Sequence, residues 1–222
     1  MSANRSRHWM HRLAHDLRGP LSPMQVAIYL LRDESLAQGE RNELFAVLER
    51  QIARLDGMIH EISDLGRAEQ GRMLTRLEPL DLQLLIEHLS SQLEANPPEI
   101  TYAPDAGAIE LEGDAVRLGQ LLKSLLGLRT SRTQQAPVRA HVDWAAPDRM
   151  RMHCTITSPG AQADFAEALL AGPHPEPPDE GLGLGLMIAS AIAEAHGGRL
   201  DAGDGTDESI EFVLELPARP AS

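Results

Sequence analysis

His15-Asp16-Leu17-Arg18-Gly19-Pro20-Leu21 stands inside an apolar repeat that continues on both sides of it and predicts a helix. The apolar positions of this first run step by threes and fours and are Leu13, Leu17, Leu21, Met24, Ile28 and Leu31. A second run with the same spacing is Leu44, Leu48, Ile52, Leu55, Ile59, Ile62 and Leu65. The segment from Asp33 to Glu40, which contains Gly39, breaks the pattern between them. The first seventy residues are therefore predicted to form an antiparallel helical hairpin.

The apolar stripes of this hairpin are wider than two helices can hide from each other. Pairing of two copies into a four-helix bundle would bury the remainder, so we expect a homodimer. Pro20 and Pro23 fall within the first helix, where each removes a backbone hydrogen bond. They predict a kink just after His15 that exposes its ring.

Composition limits the remaining classes of function. The chain has 222 residues and a net charge of -13, and only 3% of its residues are aromatic, which argues against nucleic acid as a partner. No apolar run approaches the roughly 18 residues of a membrane helix, so we expect no membrane segment in this chain and a cytoplasmic location. Cys154 is the single cysteine, and it is predicted to be a buried free thiol.

Beyond the hairpin, the helical period of apolar residues is lost from Gly66 to Pro79, which predicts a linker. After it, segments with a helical period are interspersed with segments in which apolar and polar residues alternate. The predicted helices are Leu80 to Leu93, Asp114 to about Arg129, and Leu184 to His196. The predicted strands lie within Glu99 to Glu112, Pro137 to Ala145, Arg149 to Thr157, Arg199 to Asp204 and Ser209 to Leu216. This order predicts an α+β fold, in which an α/β sandwich follows the hairpin.

The seven residues quoted first resemble the H box of two-component histidine kinases, in which the histidine carries a phosphoryl group. The resemblance extends to a glycine-rich stretch before a helix, Gly181-Leu182-Gly183-Leu184-Gly185-Leu186, and to Ala195-His196-Gly197-Gly198 at the end of that helix. It implies three segments: a dimerisation and phosphotransfer hairpin over 1–71, a linker over 72–80, and a kinase-like ATP-binding domain over 81–222. It also implies that His15 is the nucleophile and Asp16 the acid that orients it and takes its proton, with Gly181, Gly183 and Gly185 facing phosphates.

The sequence departs from the family pattern at the other nucleotide boxes. Ser124 and Leu128 stand where the family has two asparagines that hold magnesium and the phosphates, and leucine has no oxygen ligand for a hard cation. Ser158 replaces the aspartate that accepts a hydrogen bond from the adenine amino group, and Gln162 replaces a glycine. The intervening lid, 163–180, is short and rich in proline. We therefore expect no bound cofactor and no metal, with ATP and magnesium as the alternative.

Three functions follow from these features. The first is a histidine phosphotransferase that exchanges a phosphoryl group between His15 and the aspartates of response-regulator receiver domains. The second is a sensor histidine kinase with an atypical ATP pocket, and the third is a non-catalytic pseudokinase that docks partners. Gly19 occupies the position, four residues after the histidine, where family members that dephosphorylate their receivers carry threonine or asparagine. The resemblance therefore implies little receiver phosphatase activity.

Overall fold

The computed structural model describes residues 3–93, 96–104, 106, 108–130, 136–160, 164–175, 177, 181–203, 205–206 and 208–220, with side chains from residue 13 onward. The chain divides into two compact units. The first contains Met1–Ser63 and Asp179–Leu182, and the second contains Asp64–Pro178 and Gly183–Ser222. A helical region followed by a mixed α/β domain confirms the predicted fold class.

The hairpin consists of α1, Ala3–Leu30, and α2, Gln38–Glu69, whose residues from Asp64 onward belong to the second unit. Asp33 holds the turn between the helices by accepting a hydrogen bond from the amide of Ser35 at 2.8 Å. Glu40 then accepts one from the amide of Ala37 at 2.9 Å, which satisfies a free donor at the start of α2. Gly39 therefore lies inside the first turn of α2, and the break predicted from Asp33 to Glu40 ends before Gln38, earlier than expected.

The hairpin buries a narrow interior and leaves many large apolar side chains exposed. Ala27 and Met58 are fully buried, whereas Ile52 and Ile59 of the second run are 55% and 58% exposed. The other exposed apolar side chains of the hairpin are Leu21, Val26, Ile28, Tyr29, Leu30 and Phe45. Within the described part of the chain, no helix combines the length and apolar character that crossing a membrane requires.

The second unit has two sheets and four further helices in the described residues. Its elements are β1 Glu78–Asp81, α3 Leu82–Gln92, β2 Glu99–Tyr102, β3 Ile109–Gly113, α4 Ala115–Leu126, β4 Arg139–Ala146, β5 Arg149–Thr157, α5 Phe165–Ala171, α6 Gly185–Ala195, β6 Arg199–Ala202, β7 Ser209–Pro217 and β8 Arg219–Pro220. The larger sheet has the order β2-β4-β5-β7-β6, and the smaller has the order β1-β3-β8. All neighbouring strands are antiparallel except β2 and β4.

The larger sheet buries one face, and α4 packs between α3 and α6 in the helical layer. Alternate residues of β5 and β7 point inward, and they are Met150, Met152, Cys154, Ile156, Ile210, Phe212, Leu214 and Leu216. Cys154 is a fully buried free thiol, which confirms the prediction, and its burial raises its pKa to about 12.

The structure differs from the sequence-based prediction in the segment between hairpin and sandwich. Gly66 lies within α2, which continues to Glu69 because a single glycine costs a packed helix only about 1 kcal/mol. The segment 72–80, expected to be a linker, contributes Glu78–Leu80 to β1. The short elements β1, α5 and β8 were not predicted.

Candidate functional site

His15 lies on α1 with its side chain 83% exposed. Its Nδ1 is 3.1 Å from Oδ1 of Asp16, whose side chain is 28% exposed. In the tautomer in which Nδ1 carries the proton and donates it to Asp16, Nε2 holds the in-plane lone pair. The contact therefore provides the geometry that a nucleophilic imidazole with an orienting acid requires. The predicted pair is adjacent in the structure and open to a large partner.

The surface one helical turn after His15 is shaped by a missing side chain. Gly19 is exposed, and a Cβ atom placed on it would lie 4.0 Å from Nη2 of Arg54 on α2. Pro20 is buried. The guanidinium of Arg54 therefore lies beside the turn of α1 that follows His15.

The start of α4 is fixed by Asp114. Its Oδ1 accepts hydrogen bonds from the amides of Val116 and Arg117 at 3.1 and 3.2 Å, as an N-cap does. Its Oδ2 accepts from the amide and hydroxyl of Thr75 at 2.9 and 2.6 Å, and from the amide of Arg76 at 3.4 Å. Burial raises the pKa of this carboxyl, but the hydrogen bonds outweigh burial and hold the pKa well below its usual range.

His196 supports the same junction. Its Nε2 accepts a hydrogen bond from the amide of Asp114 at 3.0 Å, so its Nδ1 carries the proton and donates it to the carbonyl of Ile192 at 2.8 Å. A Cβ atom on Gly113 would lie 2.4 Å from the Leu118 side chain and 3.0 Å from the His196 ring. The motif at the end of α6 thus positions the start of α4 through the imidazole.

Neither residue in the place of the family's asparagines supplies what those asparagines do. Ser124 faces the start of α6, because a Cβ atom on Gly185 would lie 3.6 Å from its Oγ. Leu128 follows the end of α4, after the cap residue Gly127, and contributes an apolar side chain. The hydroxyl of Ser124 is then one weak oxygen ligand where a magnesium–triphosphate needs several.

The predicted phosphate glycine Gly183 is covered by the lid. Its φ of +76° is a left-handed conformation, and a Cβ atom on it would lie 2.8 Å from the backbone N and O of His174. The amide of His174 donates to the carbonyl of Gly183 at 2.9 Å. The His174 side chain is buried and meets the ring of Phe165 edge-on, with centroids 6.3 Å apart. The backbone of the lid therefore occupies the approach to this glycine.

Gly181 and Leu182 belong to the first unit, whereas Gly183 and Gly185 belong to the second. Within the first unit, the amide of Leu182 donates to Oε1 of Glu61 at 3.1 Å. This amide, one of those expected to face a phosphate, is thus bound to a carboxylate.

Ser158 directly follows β5; it is buried, and its amide donates to the carbonyl of Glu208 at 2.8 Å. Gln162 lies outside the described residues. Among the described residues, Leu128 and the covered Gly183 do not fit magnesium-ATP, because they offer neither an oxygen ligand nor an open glycine backbone to the nucleotide.

Sequence reasoning missed a buried polar cluster in the second unit. Asp64 accepts hydrogen bonds from Arg117 Nη1 at 2.8 Å and from Gln120 Nε2 at 2.7 Å, and both charged side chains are about nine-tenths buried. Arg117 also donates to Oε1 of Gln120 at 2.7 Å. A signal was present in the sequence, because Arg117 and Gln120 are polar residues three apart on a helix whose neighbours are mostly leucine.

Comparison with known proteins matches a family to the hairpin and finds relatives over most of the chain. The family described as HisKA: His Kinase A (phospho-acceptor) domain matches residues 6–71, which include His15 and Asp16. Sensor protein ChvG of Rhizobium meliloti (strain 1021) is 28% identical over 234 residues, a match that covers 94% of this chain and 40% of ChvG. The chain spans about two fifths of the length of the curated relatives it matches.

Solved structures share the fold. The Acinetobacter baumannii histidine kinase AdeS superposes with a TM-score of 0.70 at 20% identity, covering 91% of this chain and 97% of that chain. Histidine kinase ThkA, solved in complex with response regulator protein TrrA, has a TM-score of 0.67 at 17% identity, covering 97% of this chain and 64% of that chain. A fold in which a helical hairpin is followed along the chain by an α/β sandwich is therefore shared with these structures.

Proposed function

We propose that this chain, which belongs to the two-component sensor histidine kinase family, carries a phosphoryl group on His15 and exchanges it with receiver-domain aspartates. The observation that carries the proposal is the His15 ring, which is 83% exposed and has Nδ1 3.1 Å from Asp16. An exposed ring can enter the acidic pocket of a receiver, and the neighbouring carboxylate keeps Nε2 available as the nucleophile.

The transfer step is a balanced exchange of one bond for another. Nε2 of His15 attacks the phosphorus of a receiver acyl phosphate, the Nε2–P bond forms, and the O–P bond to the receiver aspartate breaks. The aspartate leaves as a carboxylate, and Asp16 stabilises the positive charge that develops on the ring by accepting the hydrogen bond from Nδ1. The reverse step, with the aspartate of a second receiver as nucleophile, passes the group onward.

Little or no phosphorylation from ATP is the second part of the proposal. It is supported by Leu128 in place of an oxygen ligand, by the His174 backbone over Gly183, and by Glu61 on the Leu182 amide. For ATP to bind, the lid would have to move away from Gly183. A metal would also have to bind with the Ser124 hydroxyl as the only oxygen ligand from the two positions of the family's asparagines. Losing one charge-assisted hydrogen bond and the metal contact costs at least about 3 kcal/mol, which is a hundredfold or more in affinity.

The partners we propose are a second copy of the chain and receiver domains. The exposed side chains of Ile52 and Ile59 support pairing of hairpins, because a second copy would bury the large apolar residues that lie at helical spacing on both helices. ThkA, which shares the fold, is solved in complex with a response regulator. We propose that the equivalent surface of this chain, around His15, receives a receiver domain.

An active kinase is the second candidate, favoured by the names of the similar proteins, which are sensor proteins and histidine kinases. It shares His15 as the phosphoryl acceptor and differs in the donor. The two candidates therefore separate on one question, whether magnesium-ATP or a phosphorylated receiver loads His15.

The test supplies both phosphoryl donors to the 222-residue chain. Receiver domains from the same genome are loaded with ³²P-acetyl phosphate and mixed with the protein, and a parallel reaction contains magnesium and γ-³²P-ATP. We expect acid-labile label from at least one receiver, none in His15→Ala, and normal labelling in His60→Ala, whose ring is 72% exposed on α2. From ATP we expect no label above the His15→Ala level.

Two results would decide against this reading. Label from ATP that requires His15, or micromolar binding of magnesium-ATP by calorimetry, would establish the kinase instead. If neither a receiver nor ATP labels the protein, the non-catalytic pseudokinase is the function that fits.

A further inference from the structure

We infer that Arg54 binds the phosphoryl group on His15 and stabilises the phosphorylated state. The inference rests on the proposed function, since it concerns a group that His15 carries. The observation behind it does not depend on that function: Nη2 of Arg54 lies 4.0 Å from the position that a Cβ atom on Gly19 would take. Arg54 and Gly19 both belong to the first unit, as does His15.

The position of Gly19 brings this guanidinium towards His15. Residues four apart on a helix lie on one face with Cβ atoms roughly 5–6 Å apart, so Gly19 adjoins the turn that bears His15. The Cα–Cβ direction of a helical residue tilts towards the helix N-terminus, which here is towards that turn. A Cβ atom at position 19 would be in ordinary van der Waals contact with the Arg54 guanidinium, which therefore lies directly against this turn.

The chemistry of Arg54 suits a dianion that projects from the imidazole. A guanidinium presents several donors in a planar fork that matches phosphate oxygens. Asp16 engages Nδ1, so the phosphoryl group on Nε2 projects away from that carboxylate. A cation at this place would favour the phosphorylated form in equilibrium, where a neutral side chain would not.

Arg50 offers a matched control. It lies one turn earlier on α2, is exposed, and loses the same charge in an Arg→Gln substitution. A general effect of net charge on α2 would appear in both variants, whereas a direct contact would appear only in Arg54→Gln.

The experiment phosphorylates the 222-residue chain with phosphoramidate, a donor that needs no receiver. The P–N bond of phosphoramidate breaks, the Nε2–P bond forms on His15, and ammonia leaves with the electron pair. The fraction of phosphohistidine at fixed phosphoramidate and ammonia concentrations measures the equilibrium. We expect this equilibrium constant to fall about fivefold in Arg54→Gln and to stay within about twofold in Arg54→Lys and Arg50→Gln.

A second measurement does not depend on a folded variant. A nearby guanidinium lowers the pKa of the phosphoryl group, so ³¹P titration of the wild-type phosphohistidine should give a lower pKa in the folded protein than in urea. Equal pKa values, an unchanged equilibrium in Arg54→Gln, or an equal loss in Arg50→Gln would overturn the role of Arg54. Failure to label the wild type, or label that survives His15→Ala, would overturn the proposed function instead.

Discussion

Removing the carboxylate of Asp114 should destabilise the second unit by about 3 kcal/mol. Loss of the N-cap bonds to Val116 and Arg117 costs about 1 kcal/mol. Loss of the two bonds from Thr75 to a charged acceptor costs roughly 2 kcal/mol more, because these bonds are partly buried at Asp114, which is 3% exposed. For a unit of this size, Asp114→Ala should lower the thermal midpoint by roughly 6 to 12 °C.

The same carboxylate should make stability depend on pH in acid. Its pKa is depressed in the folded state, so its contribution is complete well above the unfolded value near 4 and is lost as the pH falls through that value towards the folded pKa. Between pH 5 and pH 3, this one group should remove about 1 kcal/mol of unfolding free energy. Asp114→Asn cannot ionise and should lack this component.

Urea unfolding followed by circular dichroism at pH 7, 5 and 3 measures both effects. Asp148→Asn, at an exposed turn position, controls for the loss of one negative charge. The reasoning would be wrong if Asp114→Ala unfolded within 0.5 kcal/mol of the wild type, a margin typical of surface substitutions. It would also be wrong if wild type and Asp114→Asn lost stability in parallel between pH 5 and pH 3.

Three further predictions concern the hairpin. The isolated segment 1–71 should be a helical dimer, because Ile52 and Ile59 are exposed in one copy; a folded monomer at micromolar concentration by light scattering would contradict this. His15→Ala should abolish acid-labile label while leaving the circular dichroism and the dimer mass unchanged, because the ring is 83% exposed; label that persists would show that another residue carries the group. The chain should shorten the lifetime of a phosphorylated receiver very little once His15→Ala excludes back-transfer, because Gly19 has no side chain to position a water; a marked shortening in that variant would contradict this.

Regular elements with a clear period could be predicted from the sequence. Strand β5 was predicted with the bounds that the structure has, because Met150, Met152, Cys154 and Ile156 alternate strictly with residues on the outer face. Helix α6 was predicted to within a residue at each end, because Gly197 and Gly198 end a long apolar run. Both patterns are local, so a single stretch of sequence contains the whole signal.

Short elements and long-range contacts could not be predicted in this way. Strand β8 has two residues and exists because Arg219 and Pro220 pair with β3, more than a hundred positions earlier. The contact between Asp64 and Arg117 depends on how α4 packs, and the cover over Gly183 depends on the path of the lid. At the candidate site, the contact between His15 and Asp16 could be predicted because they are neighbours in the sequence, whereas the place of Arg54 beside Gly19 depends on how the two helices of the hairpin pack.

The order of the strands in the larger sheet has a consequence for biosynthesis. Strand β7 pairs with β5 on one side and with β6 on the other, yet it is the last strand of that sheet to be synthesised. At 5–20 residues per second, β4 and β5 emerge several seconds before the partner that joins them to β6. A nascent chain that stops before Ser209 lacks the strand that joins β6 to β5 and the buried side chains that β7 contributes, so such translation products should be open to proteolysis, and only chains that include β7 should acquire the complete sandwich.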